Sequence, residues 1–529
     1  MQELNFQPLA PGEPRPFWEH PVFLVFLVVA SAAPLLWPDI APLVDLPGHI
    51  GRYRVQLDLG HSPALQQFYS YEWALIGNLG VDLLVELLAP LIGLEPAVRL
   101  IVLMIPALTA AGLIWAAFEV HGRVPPTVLF ALPFAYNFPF LFGFVNFALA
   151  MALALNAFAL WLRLGRLHQV RLRAVLFVPI SLILWLVHAF GWGTLGVLAF
   201  SAELVRQHDR GRGYILGSVH AAKHCLSLAL PFVMMVYWRS NAGGQTGDWF
   251  NWRGKAMWVF MSLRDRWVIF DIGALAISVV VLIAAWASRH IEYSRNLAAS
   301  ALFLLLVFCL LPRVIFGSAY ADMRLAPYIF AIALIAIRFP LASRRTMLVF
   351  GALGALFFVA RTAGTTVSMV IYDRAYDRNL AALDLVPRGA RMVSFVGRPC
   401  IEPWAMSRLL HLPAMAIARR EAFSNDQWVL AGAQLLTVHY DPGERFFIQD
   451  ASQIVTELRC RYEPWRTIDQ ALAHFPRHSF DYVWLIDPPR HDPALLHGLT
   501  PIWQEGTSVL YRVDERTPPF PSPLAFPSP

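Results

Sequence analysis

Charge is what this sequence lacks most. Only 15% of its 529 residues are charged and 57% are hydrophobic, whereas a soluble domain carries about 25% charge. That balance excludes a single water-soluble globule and predicts an α-helical polytopic membrane protein. Lysine is nearly missing: Lys223 and Lys255 stand alone among the arginines. We read that skew as the imprint of a GC-rich genome rather than a phosphate-binding device. The formal net charge of +6 reads as basic cytoplasmic loops, with no nucleic acid as partner. There is no Walker loop, no GxGxxG after a strand, no HExxH and no nucleophile elbow, so no motif points to nucleotide hydrolysis. Cysteine is scarce, at four residues. Cys225 and Cys309 fall in apolar runs and read as packing. Cys400 and Cys460 lie near the carboxyl end, where a disulfide and two buried thiols are both open.

What is present is hydrophobic length. Runs able to cross about 30 Å of hydrocarbon fall near 20–37, 73–92, 97–118, 139–162, 213–238, 270–288, 297–312, 325–340 and 346–368. The stretch 174–206 is interrupted at His188 and reads as two short helices in a hairpin. The piece 125–137 is too short to span and reads as re-entrant or half-buried. The clusters Arg163/Arg166/Arg171/Arg173, Arg206/Arg210/Arg212, Arg289/Arg295 and Arg338/Arg344/Arg345 then fall in the cytoplasm. This predicts about 11 transmembrane helices, with a cytoplasmic segment 1–19, a helical bundle over 20–370 and an external carboxyl end. The first span has no basic residues clustered ahead of it, so a retained helix is expected rather than a cleaved signal peptide.

Three external segments follow: 38–72, 239–269 and 313–324. The first contains an amphipathic stretch near 46–59, and the second is rich in Trp and basic residues suited to headgroup depth. Beyond residue 371 charge rises and short alternating runs appear at Met392–Val396, Arg445–Ile448, Tyr482–Ile486 and Ser508–Tyr511. These predict a soluble periplasmic α/β domain over 371–516, with helix near 465–474. The Pro-rich tail 517–529 reads as disordered.

The candidate chemistry sits at the external face. Asp45 can accept a proton from a hydroxyl, and His49 would share its helix face. Arg52 and Arg54 can fork onto a phosphate. Arg324 begins a span, where a cation meets lipid phosphate, and Asp322 is placed to pair with it. Asn137, His188, Asp82 and Glu86 are polar groups in or beside spans, and such groups usually face a cavity or a partner. The alternative for Asp45 is an N-cap on a solvated amphipathic helix. For Arg324 it is helix-end anchoring, and for His188 a satisfied core histidine.

These features resemble the bacterial membrane glycosyltransferases of the GT-C class, which use polyprenyl-phosphate sugars. The resemblance rests on Asp45 in LVDLPGHIGRYR, Arg324 in ADMRLAPY, the multi-span bundle and the external carboxyl-terminal domain. The phrases EWALIGNLGVDLL, AYNFPFLFGFVNF and PIWQEGTSVLYRV are similar to a group of bacterial multi-pass proteins with this layout. Asp45 is followed by Leu46, so the adjacent acidic pair common in that class is missing. The resemblance implies a bacterial inner-membrane enzyme of inverting type, with Asp45 as general base and His49 beside it. Arg52, Arg54, Arg324, Asp322, Asn137 and His188 would surround a polyprenyl-phosphate-linked sugar. The acceptor would be an envelope glycan, lipid or protein, with membrane lipids around the bundle. No cluster of carboxylates makes a cofactor metal necessary, and scattered carboxylates in one loop leave a divalent metal open. Two other readings stand beside it: a transporter or flippase of a lipid-linked or small polar substrate, and a non-catalytic scaffold of envelope assembly.

Overall fold

The computed structural model describes residues 14–241, 245–315, 317–430 and 434–516. Part of the expected cytoplasmic segment, 1–13, and the Pro-rich tail lie outside the described residues. Among the described residues, five helices are long and apolar enough to cross a membrane: Leu94–His121, Val145–Arg166, Val170–Val187, Val268–Ala287 and Arg344–Leu385. A sixth crossing arises if Tyr214–Leu228 and Pro231–Tyr237, bent by 68°, form one span. Several other expected spans are shorter apolar helices, among them α1 (Pro21–Leu35), Arg295–Leu310 and Ala326–Ile335. The expectation of about 11 full-length spans is therefore met only in part.

The reason is clearest at 73–92. Its helix covers only Gly80–Ile92, because Trp73–Leu79 is irregular and hydrogen-bonds to the chain around the break at His188. Leu79 N–H donates to Leu186 O at 2.8 Å and Ala189 N–H to Gly77 O at 2.9 Å. Hydropathy is blind to that backbone pairing. At His188 itself the chain is extended (φ −167°, ψ 130°), separating Val170–Val187 from Ala189–Asp209. The 125–137 region is two buried short helical turns, Val128–Ala131 and Leu132–Tyr136, followed by Phe138–Phe142.

The carboxyl-terminal third carries a seven-stranded sheet. Its centre, β2 (Arg391–Gly397), runs parallel to Tyr482–Ile486, Ile454–Thr456 and Phe423–Ser424. An antiparallel hairpin, Leu499–Glu505 and Ser508–Val513, forms one edge. Ile468–His474 is a helix with a Thr467/Gln470 capping box, the device that Thr-x-x-Gln builds. Arg445–Phe447 is a 3-10 turn instead of the expected strand, since Glu444 ahead of it has φ +58°. Cys400 and Cys460 form a disulfide.

This third does not stand apart from the bundle. The first loop supplies β1 (Tyr69–Tyr71), which pairs antiparallel with Leu436–Val438. The helix α2 (Leu46–Asp58) is buried beneath Leu412–Ala414 and Met415–Arg420. A Cβ on Gly51 would lie 2.7 Å from Ala414 O, so α2 meets this unit backbone to backbone. The segment read as amphipathic is an internal seam.

Candidate active site

Asp45 sits at the N-cap position of α2 and makes no capping hydrogen bond with its side chain. Its amide donates to Phe142 O at 2.9 Å. The next residue, Gly143, has φ +106°, and a Cβ there would lie 2.6 Å from Asp45 N. Only glycine suits both demands. Gly143→Ala is expected to lower stability by about 1–3 kcal/mol and to displace Asp45, visible as a reduced melting temperature in detergent.

The Asp45 carboxylate lines a polar cavity of about 390 Å³ with His49, His188, Arg324, His411, Trp428 and Asp450. Beside it lies an apolar cavity of about 300 Å³ walled by Trp192, Val197, Met235, Leu304, Val307 and Leu311. The two share Asn78, His188, Ser318 and Arg324. A further apolar recess reaches Trp249 and Leu310 and shares Val307, Leu311 and Ile315 with the second cavity. An apolar trough thus leads to a polar chamber, with Arg324 at the seam.

Arg324 is 7% exposed. Its Nη1 lies 3.5 Å from His188 Nε2, its Nη2 donates to Ser318 Oγ at 3.3 Å, and its Nε has no partner among the described residues. Phe144, Phe190 and Phe147 surround the guanidinium at 4.6, 5.3 and 5.7 Å. Among the described residues no carboxylate pairs with it. Burial pulls its pKa down to about 10, with Asp45 opposing the shift. A desolvated cation without a counterion is costly, and an incoming anion relieves that cost.

Burial also raises the Asp45 pKa to about 7, against the pull of His411. His411 Nε2 lies 3.8 Å from Asp45 Oδ1, and its Nδ1 lies 2.6 Å from Asp426 Oδ1. Burial works against the His411 charge, but Asp426, Asp450 and Asp45 outweigh it and push its pKa up to about 9. His411, Asp426 and Asp450 bring ligand-type atoms within 4.8 Å of one another, the grouping of a candidate metal set. They fit poorly. Donors sharing a cation at about 2.1 Å stand roughly 3 Å apart, so 2.6 Å is a hydrogen bond. Gln453 Nε2 also donates to Asp426 Oδ1 at 3.0 Å and to Asp450 Oδ1 at 2.6 Å.

The remaining sequence candidates divide. His49 lines the chamber and packs against Trp428 at 5.3 Å; burial and Arg52 hold its pKa well below the usual imidazole value. His188 lines both cavities, and its Nδ1 accepts from Phe190 N–H at 3.1 Å. Arg52 is not free for phosphate: it pairs with buried Asp82, which also accepts from Asn146 Nδ2 at 3.0 Å. Arg54 pairs with Asp58 and donates to Ala418 O. Asp322 turns from Arg324 to Lys255 at 3.2 Å. Asn137 caps Phe138–Phe142 and donates to Phe134 O. None of these last four lines the chamber. Arg52→Ala would leave the Asp82 carboxylate buried without its cation. A loss of about 3–5 kcal/mol is expected, measurable as early unfolding with no selective effect on ligand affinity.

Comparison with known proteins found no matching family model and no matching curated protein. Among solved structures, the chain is similar to the mycobacterial arabinofuranosyltransferase AftD, at 16% identity and a TM-score of 0.43. The match covers 97% of this chain and 40% of that one, so this chain spans well under half of that protein's length.

Proposed function

We propose that this protein is a bacterial inner-membrane glycosyltransferase that moves a sugar from a polyprenyl-phosphate donor to an envelope acceptor on the periplasmic face. The observation carrying this reading is Arg324, a buried cation with no carboxylate partner among the described residues, placed where an apolar trough meets a polar chamber. The isoprenoid would occupy the trough and the phosphate would meet Arg324. Asp45 would take the acceptor hydroxyl's proton, and that oxygen would form a bond to the anomeric carbon. The bond from carbon to phosphate oxygen would break, its electron pair leaving with the phosphate. The transition state is oxocarbenium-like, and Arg324 would stabilise the charge growing on the leaving group. Attack opposite that group inverts the anomeric centre.

The transporter reading draws less support, because Asp82 is engaged by Arg52 and Asn146 and Glu86 by Gln56 at 2.8 Å. The test is transfer by the purified protein in lipid nanodiscs, supplied with a panel of polyprenyl-phosphate sugars and envelope extract. Product formed by the wild type and lost in Asp45→Asn is expected. No product with any donor, from folded protein, would sink the reading.

A further inference from the structure

We propose that His411, held by Asp426, is a positioning residue for Asp45: the carboxyl-terminal unit supplies the cation that keeps the proton-accepting carboxylate ionised and aimed into the chamber. The proposal deepens the transferase reading and rests on it for its role in catalysis. Its foundation is a line of three buried groups. Asp426 is fully buried and its oxygens accept from Ala414 N–H at 3.3 Å and Gln453 Nε2 at 3.0 Å. So fixed, it takes His411 Nδ1 at 2.6 Å, which leaves Nε2 directed at Asp45, 3.8 Å away. The imidazole cannot swing aside, because Trp428 packs on it at 4.6 Å.

Asp45 needs such a neighbour. It is only 8% exposed, and among the described residues no donor hydrogen-bonds its carboxylate. Four charged groups act on it: His411 and Arg324 favour the ionised form, and Asp450 and Asp426 oppose it. His411 in turn feels Asp426, Asp450 and Asp45, and it disfavours charge on His49. Arg324 is committed to the leaving phosphate in the proposed reaction, so His411 is the cation left to hold Asp45 ready. The first loop carries the base, and residues more than 360 positions later set its charge.

The experiment is infrared spectroscopy of the full chain in nanodiscs, following the carboxylic-acid C=O band as pH rises. A band lost with a midpoint near 7 and missing from Asp45→Asn reports Asp45. In His411→Gln the midpoint should move up by about one pH unit or more, because a nearby positive charge is gone. In His411→Ala, added imidazole should bring it back down. A purely structural role would lower activity without moving the midpoint. A midpoint unmoved in both variants overturns the proposal, whether or not sugar is transferred. If the midpoint moves and no donor yields product, the pairing stands and the transferase reading fails.

Discussion

Asp45→Asn is expected to reduce transfer by about 10²- to 10⁴-fold, the range a positioned general base contributes, while the protein remains folded. The amide preserves the side-chain shape and removes only the proton acceptor. In the wild type, kcat/KM should fall about tenfold per pH unit below 7, because the carboxylate, with its pKa near 7, is then protonated. Stability should move the other way. The folded pKa lies above the ordinary 3.8, so burial favours the native state fully only below that ordinary value. The advantage is lost as pH rises through about 7. Asp45→Asn should therefore melt higher than wild type at pH 8, by a free energy with a ceiling of roughly 4 kcal/mol. Near pH 4 the two should melt alike. Normal transfer by Asp45→Asn, or a lower melting temperature at alkaline pH, would contradict the assignment.

The second large effect is at Arg324. Arg324→Gln should lower kcat/KM for a polyprenyl-phosphate sugar by about 10²- to 10³-fold, the cost of removing one donor to developing charge. Arg324→Lys should recover part of this, since it restores the charge and not the guanidinium fork. Stability separates this arginine from Arg52. Removing Arg52 strands Asp82, whereas removing Arg324 breaks no ion pair among the described residues and relieves a buried cation, so at pH values below 7, where Asp45 is protonated, Arg324→Gln should melt at or above the wild-type temperature. A strongly destabilised Arg324→Gln would show that the side chain serves the fold.

Much of the scaffold was legible because lipid-facing helices write themselves in hydropathy. The helix after Asp45, the interruption at His188 and the cation at Arg324 were visible for the same reason: a polar residue in an apolar chain is conspicuous. The partners of those residues were not. Arg52 and Asp82 are 30 positions apart, and no local pattern announces that a packed helix pair will join them. Asp45 looked like a cap because Pro47 follows it, but tertiary packing against Gly143 turned its side chain to the chamber. His411 was a lone histidine in LLHLPAMAIA. Ser424-Asn425-Asp426-Gln427 is a run of four polar residues, yet all four are buried. Burial by a segment more than 300 residues away leaves no periodicity to detect. The one signal was that polar run, bounded closely by apolar residues.

The pairing of Tyr69–Tyr71 with Leu436–Val438 also constrains the route through the bilayer. Two strands hydrogen-bonded to each other lie on the same side of it. The chain between them must therefore cross an even number of times. All five long apolar helices fall in that interval, and five is odd. If all five cross, an even count needs one more passage, and the bent pair Tyr214–Leu228 and Pro231–Tyr237 supplies the simplest one.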